Sequence, residues 1–249
     1  MLLLKSSKNT AMLNTDNNTV TLKGKTFPLN PGLVLSPGDI ISIHGEDFIA
    51  LRPEPVFFKD FARRSAQIIQ PWDAASILLY CTVSPGTRVL ESGCGSGALS
   101  LAILRATGKE GSLTSVERDA SNIEIARENL SRSIKNPNWT LVYSDIEEYS
   151  TRDRYDVIIL DIPEPWKVIG KLSTNLVSGG RICCYAPTFN QLEKNNIALK
   201  KAGFYVFENM EIIKRSLLVR ENATRPDNDM IGHTAYLTFA VKKSGSAMR

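Results

Sequence analysis

Val89-Leu90-Glu91-Ser92-Gly93-Cys94-Gly95-Ser96-Gly97-Ala98-Leu99 runs from an apolar strand through an acidic residue and three alternating glycines into the start of a helix. Glycine permits a tight turn and lets a ligand approach the backbone, and a helix start offers unpaired N–H groups. A dinucleotide fold places its third glycine later, as G-x-G-x-x-G, to cradle a pyrophosphate. Here the pattern is E-x-G-x-G-x-G, so the spacing counts against NAD, which stays the second choice. Glu117 ends the next strand, 20 residues past Gly97. An ionised carboxylate there can accept both hydroxyls of a ribose. Asp145 ends the third strand. One acidic strand end is ordinarily a solvated or capping residue, but three in succession predict a nucleotide-like cofactor.

On either side of this stretch, helix and strand alternate from about residue 73. Asp73 is expected to cap a helix that ends before Ser84-Pro85-Gly86. Arg88–Glu91 reads as a strand and 97–106 as a helix closed by Gly108. Leu113–Glu117, Thr140–Tyr143, Tyr155–Leu160, Arg181–Tyr185, Phe204–Phe207 and Thr234–Val241 read as strands. A helix is expected from Asp119 to about Arg132, and another from an Asn190 cap to Ala202, ended by Gly203. The almost continuously apolar Tyr155–Leu160 suits a strand buried on both faces. Such alternation predicts an α/β domain with a mostly parallel sheet covered by helices on both faces. Residues 1–55 differ: turn signals separate short β-type runs at Thr19–Leu22, Gly32–Leu35, Asp39–Ile43 and Asp47–Leu51. They read as a small all-β module, joined through Arg52-Pro53-Glu54-Pro55 to a domain spanning 56–249.

E-x-G-x-G-x-G resembles motif I of the class I S-adenosylmethionine-dependent methyltransferases, whose loop holds the methionine part of the cofactor. The resemblance implies that Glu91, Gly93, Gly95, Ser96, Gly97, Ala98, Leu99, Glu117, Asn122, Asp145 and Asp161 bind that cofactor, with Asp145 at the adenine amino group. After the fourth strand comes Asp161-Ile162-Pro163-Glu164-Pro165-Trp166, a D-x-P-x-P-W pattern that resembles the tRNA (adenine-58-N1) methyltransferase family. Gln67-Ile68-Ile69-Gln70-Pro71-Trp72-Asp73, Pro187-Thr188 with Gln191, and Arg225-Pro226 followed by Met230-Ile231-Gly232-His233-Thr234 match the same family. The resemblance covers about residues 57–241. It implies methyl transfer to N1 of adenine 58, or of 57 as well, in the T-loop of tRNA, and a homotetramer in the cytoplasm. Gln70 and Trp72 depart from the family, where an aromatic or histidine precedes the proline and a lysine follows it.

Asp161 is the expected catalytic residue. Adenine N1 has a lone pair, so it needs no strong base; it needs positioning near the methyl carbon and negative charge where positive charge develops. Trp166 and Tyr236 are candidates for stacking on a flipped base. Lys59, Arg63 and Arg64, and further on Lys214, Arg215, Arg220 and Arg225, are candidate phosphate contacts. His233 reads as a structural or substrate-contacting group rather than as a catalytic base.

Composition bounds these readings. The chain has 249 residues, 43% apolar and 22% charged, which excludes a largely disordered protein. Residues 1–55 carry five acidic and five basic residues, so the net charge of +4 arises entirely in 56–249. That suits a polyanionic partner without requiring one. No apolar run approaches the ~20 residues that span a bilayer. Met1–Leu4 is apolar, but Lys5 and a polar stretch follow, so no secretory signal is expected. Cys81, Cys94, Cys183 and Cys184 form no C-x-x-C pair, and two histidines, His44 and His233, make no zinc set. Four reduced thiols and no metal are expected. Two other functions compete: a small-molecule methyltransferase of the corrinoid-pathway type, and a noncatalytic RNA-binding subunit, whose cofactor loop should have decayed.

Overall fold

The computed structural model describes residues 1–30, 32–63 and 67–244. Arg64 of the first basic cluster and Pro31 of the second turn signal lie outside the described residues.

β1 (Leu2–Lys5), β2 (Thr10–Asn14), β3 (Thr19–Leu22), β4 (Lys25–Pro28), β5 (Ile40–Ile43) and β6 (Glu46–Leu51) make one antiparallel sheet in the order β4-β3-β2-β1-β6-β5. The apolar start of the chain is its central strand. Leu2 and Leu4 join the module's own core around Phe48, while Leu3 turns the other way and packs with Phe58 and Phe61. The run is continuously apolar because it is covered on both faces. Strands β1, β2 and β4 were not expected from sequence. Gly32–Leu35, expected as a strand, is not one: Leu33 donates to the Asn30 carbonyl in a turn, and no ladder forms.

A single 3-10 turn at Pro55–Phe57 leads into α1 (Phe58–Phe61) and α2 (Pro71–Tyr80). Then follow β7 (Arg88–Ser92), α3 (Ala98–Thr107), β8 (Ser112–Glu117), α4 (Ala120–Ser131), β9 (Trp139–Tyr143) and β10 (Tyr155–Leu160). A second 3-10 turn (Pro165–Lys167) precedes α5 (Ile169–Ser173), β11 (Leu176–Ala186), α6 (Phe189–Lys201) and β12 (Phe204–Glu211). A small hairpin, β13 (Leu217–Leu218) with β14 (Arg225–Pro226), comes before β15 (Tyr236–Lys242). The second sheet has seven strands in the order β12-β15-β11-β10-β7-β8-β9. Only β15 runs against the rest, pairing antiparallel with both β11 and β12.

Two cores flank this sheet, as the alternation of side chains along a strand demands. Val157 and Ile159 face the core built with α2 and α3, whereas Ile158 and Leu160 face the one built with α5 and α6. The expected α/β architecture is therefore present. Two helix starts differ from expectation. Gln70, not Asp73, precedes α2, with Pro71 pre-setting the first turn, and Asp73 is buried inside it. Thr188, not Asn190, caps α6: its hydroxyl accepts from Gln191 N–H while the Gln191 side chain returns to Thr188 N–H, a capping box two residues earlier. All four cysteines are free and buried.

Candidate active site

The strand order reverses between β7 and β10, whose neighbours are β8 on one side and β11 on the other. Open α/β sheets bind ligands at such a point, beyond the carboxyl ends of the strands. A cleft of about 610 Å³ lies there, lined among others by Gly93, Gly95, Glu117, Asn122, Asp145 and Asp161. Six residues expected from sequence therefore share one cavity. Glu91, Ser96, Gly97, Ala98 and Leu99 do not line it.

Those five support the loop from behind. Ser96 is buried, and its carbonyl accepts from Asn129 Nδ2 at 2.9 Å. The same side chain exchanges hydrogen bonds with Arg63 N (2.8 Å) and Arg63 O (2.7 Å), so Asn129 ties the glycine loop to the segment before α2. Gly97 has φ +87, and a β-carbon there would fall 2.6 Å from Leu130 Cδ1; the loop can rest on α4 only without a side chain. Gly95, by contrast, faces open space. Ala98 lines a separate apolar cleft with Lys59 and α2, and Leu99 belongs to the core.

Glu117 is oriented by two backbone donors, Gly95 N to Oε2 and Asp119 N to Oε1, each at 3.0 Å. Each oxygen keeps a lone pair for a further donor. Asp145 accepts from Glu147 N at 2.8 Å, and Arg118 stands 3.9 Å away. Asn122 projects from the first turn of α4. Asp161 directly follows β10; its N–H donates to the Ser92 carbonyl, and among the described residues no donor reaches its carboxylate.

Glu91 is 1% exposed. Its Oε2 accepts from Ser100 Oγ and Ser115 Oγ, both at 2.6 Å, while Oε1 has no partner among the described residues. Burial raises its carboxyl to about 7. Burial, reinforced by the charges of Glu91 and Glu117, also raises Asp161 to about 7. Glu147 and Glu164 add further acid at the rim, and Arg118 is the cation among the lining side chains. Such a site repels a pyrophosphate and attracts a cation. S-adenosylmethionine, with its sulfonium and ammonium, fits this wall; NAD does not.

Tyr185, a neighbour of Asp161, and Asp73 behind it were not expected at the site from sequence. Tyr185 lies across from Asp161, since Leu160 pairs with Cys184, and its hydroxyl donates to the buried Asp73 Oδ2 at 3.2 Å. Burial lifts both groups above their ordinary pKa. Asp73 sits in the Q-P-W-D stretch, where it had been read as a cap. His233 bridges Glu211 and the Pro187 carbonyl. Tyr236 is stacked on Phe189, and Trp166 lies under Lys194 Nζ. In the basic clusters, Lys214 Nζ covers Trp72 and Arg63 faces Glu128 at 3.6 Å.

Comparison with known proteins agrees with this geometry. The chain is 28% identical over 228 residues, 81% of each chain, to the tRNA (adenine(57)-N(1)/adenine(58)-N(1))-methyltransferase of Methanocaldococcus jannaschii. It is 30% identical over 207 residues to the tRNA (adenine(58)-N(1))-methyltransferase of Thermus thermophilus, covering 82% of this chain and 81% of that one. The crystal structure of a SAM-dependent O-methyltransferase from Thermotoga maritima superposes with TM-score 0.84 at 27% identity, over 99% of this chain and 94% of the other. A family model matches residues 48–225, and the chain belongs to that family, the tRNA methyltransferase complex GCD14 subunit.

Proposed function

We propose that this protein transfers the methyl group of S-adenosylmethionine to N1 of adenine 58, and of 57 where both are adenine, in tRNA. The observation that carries this is the acidic cleft at the strand-order reversal, where Asp161, an oriented Glu117 and Asp145 share one wall that suits a cationic, ribose-bearing ligand. S-adenosylmethionine supplies the electrophilic methyl group. Glu117 accepts the ribose hydroxyls, and Asp145 with Asn122 borders the adenine end. Asp161 holds the target base by its amino group and stabilises the positive ring formed when N1 is alkylated. Its proton stays off at neutral pH once a cation sits beside it, because an opposite charge favours the ionised form. The intact glycine loop and acidic strand ends favour this reading over a noncatalytic subunit.

A homotetramer acting in the cytoplasm belongs to the same proposal. tRNA is larger than one 27.5 kDa subunit, and a basic surface composed from several subunits grips it over more phosphates. Light scattering at micromolar protein tests it; a monomer would refute it.

The deciding experiment mixes the protein with labelled cofactor and unmodified tRNA and maps the modified atom. Label at N1 of adenine 58 or 57 is expected. A 2′-O-methylated nucleotide would assign an oxygen acceptor, and transfer only to a small molecule would remove RNA from the reaction.

A further inference from the structure

Phe189 opens α6, and 69% of its surface meets solvent. It is nonetheless held: its ring stacks on Tyr236 with centroids 4.3 Å apart and planes 19° from parallel. Behind Tyr236 stands the ring of His233, 4.7 Å from centroid to centroid. His233 Nδ1 is 2.6 Å from Glu211 Oε1, and Nε2 is 2.9 Å from the Pro187 carbonyl. Both partners are acceptors, so both ring nitrogens carry protons and His233 is an imidazolium. Phe189 and Tyr236 are stacked, His233 is tilted 43° against Tyr236 at the inner end of this aromatic pile, and Phe189 is exposed at its outer end.

The pile stands beside the reaction centre. Tyr236 opens β15 opposite Ala186, at the carboxyl end of β11, and β11 pairs with β10 through Cys184 and Leu160. Two strand spacings, roughly 10 Å, separate it from Asp161. The Gln191 side chain donates to the Pro163 carbonyl at 2.9 Å and so ties the first turn of α6 to the loop after Asp161. On the same helix Lys194 lies 4.6 Å above the Trp166 ring and brings positive charge to this rim.

We propose that the outer face of Phe189 is a stacking platform for an unpaired nucleobase next to the adenine being methylated. The proposal rests on the tRNA reading above. Flipping the target base strips its neighbour of a stacking partner, and a flat aromatic face within reach restores one. Every base has a π face, so the platform tolerates any neighbour, whereas Asp161 reads the target itself. A contact between copies of the chain is the other use for an exposed aromatic. Lys194 and the position beside the cleft favour RNA.

The test uses tRNA carrying fluorescent 2-aminopurine at each nucleotide flanking the target, with wild-type protein, Phe189→Ala, Phe189→Leu and Phe189→Trp. Wild type is expected to quench one flanking probe. Phe189→Ala should lose that quench and raise KM for tRNA roughly tenfold, about 1.4 kcal/mol, with kcat and cofactor affinity unchanged. Phe189→Trp should restore KM, and Phe189→Leu should not. KM for Phe189→Ala within about twofold of wild type, or rescue by leucine equal to that by tryptophan, overturns the platform. So does a change of oligomeric mass with KM unmoved, which would make Phe189 a contact between copies. If wild type quenches through Phe189 but methylates no tRNA, the reaction assigned above fails and the platform stands.

Discussion

The α-carbon of Gly93 is pressed against the carbonyl of Asp161: a β-carbon on Gly93 would lie 2.0 Å from that oxygen. The contact joins the glycine loop of β7 to the turn after β10, 68 residues further along the chain and brought together by the pairing of the two strands. Gly93 also has φ +84, where an L side chain is strained. Gly93→Ala is therefore expected to displace Asp161 and cut kcat by about 10²-fold, the scale set by a misplacement of about 1 Å. Gly95→Ala meets no protein atom but must hold φ +51, so it should cost about 1–2 kcal/mol of stability without displacing Asp161, while losing cofactor affinity because the cleft lies on that side. Equal kcat for Gly93→Ala and wild type would show that the turn does not position Asp161.

Asp161→Asn keeps the shape and removes the charge. Cofactor binding should persist, with single-turnover methylation slowed by about 10²–10³-fold, as for loss of one preorganised electrostatic partner. Wild-type single-turnover rates in this variant would refute the electrostatic role.

Glu117 has two tasks, since it orders the Gly95 and Asp119 N–H groups and faces the ribose position. Glu117→Ala should weaken cofactor binding by about 1–3 kcal/mol, the cost of charge-assisted hydrogen bonds. Glu117→Gln, which retains one acceptor, should fall between. Calorimetry giving the alanine variant unchanged affinity would take Glu117 out of the site.

The carboxyls of Glu91 and Asp161 titrate near 7 in the folded protein, above their ordinary values of 4.5 and 3.8. A raised carboxyl binds its proton more tightly folded than unfolded, so its contribution to stability is full below about pH 4 and is lost as pH rises through about 7. The free protein should thus lose melting temperature from these two groups between about pH 4 and 7. A cationic ligand favours the ionised forms, so cofactor affinity should rise over the same window, with protons released on binding. The neutral thioether product should show a weaker pH slope. Calorimetry in two buffers of different ionisation enthalpy reads the proton count; zero release at about pH 6.5 would contradict the acidic-wall account.

His233 has the same sign of dependence. Glu211 first, then the Pro187 carbonyl, raise its pKa, so its stabilisation is present in acid and fades as pH climbs past that raised value. Asp73 faces it from α2 and adds to the same shift. His233→Gln should loosen the stretch between β12 and β15, read as faster amide exchange there, and should flatten this part of the pH profile. Unchanged exchange would make the bridge incidental.

The sequence by itself determined the sheet, the glycine turn and the three acidic strand ends, because glycine conformation, capping and side-chain periodicity act over a few residues. Tyr155–Leu160 matched its strand residue for residue, and Asp119 caps α4 as its type suggests. Tertiary structure alone decided the rest. Glu91 looked like a ligand-facing acid, yet it lies beneath the loop, and only its burial turns it into a group near 7. Asp73 looked like a cap until Tyr185, 112 residues away, was laid against it. Leu2–Lys5 was not expected as a strand, and pairing with β2 and β6 makes it one. Desolvation and packing depend on which distant residues a side chain meets, and local pattern carries no record of those partners.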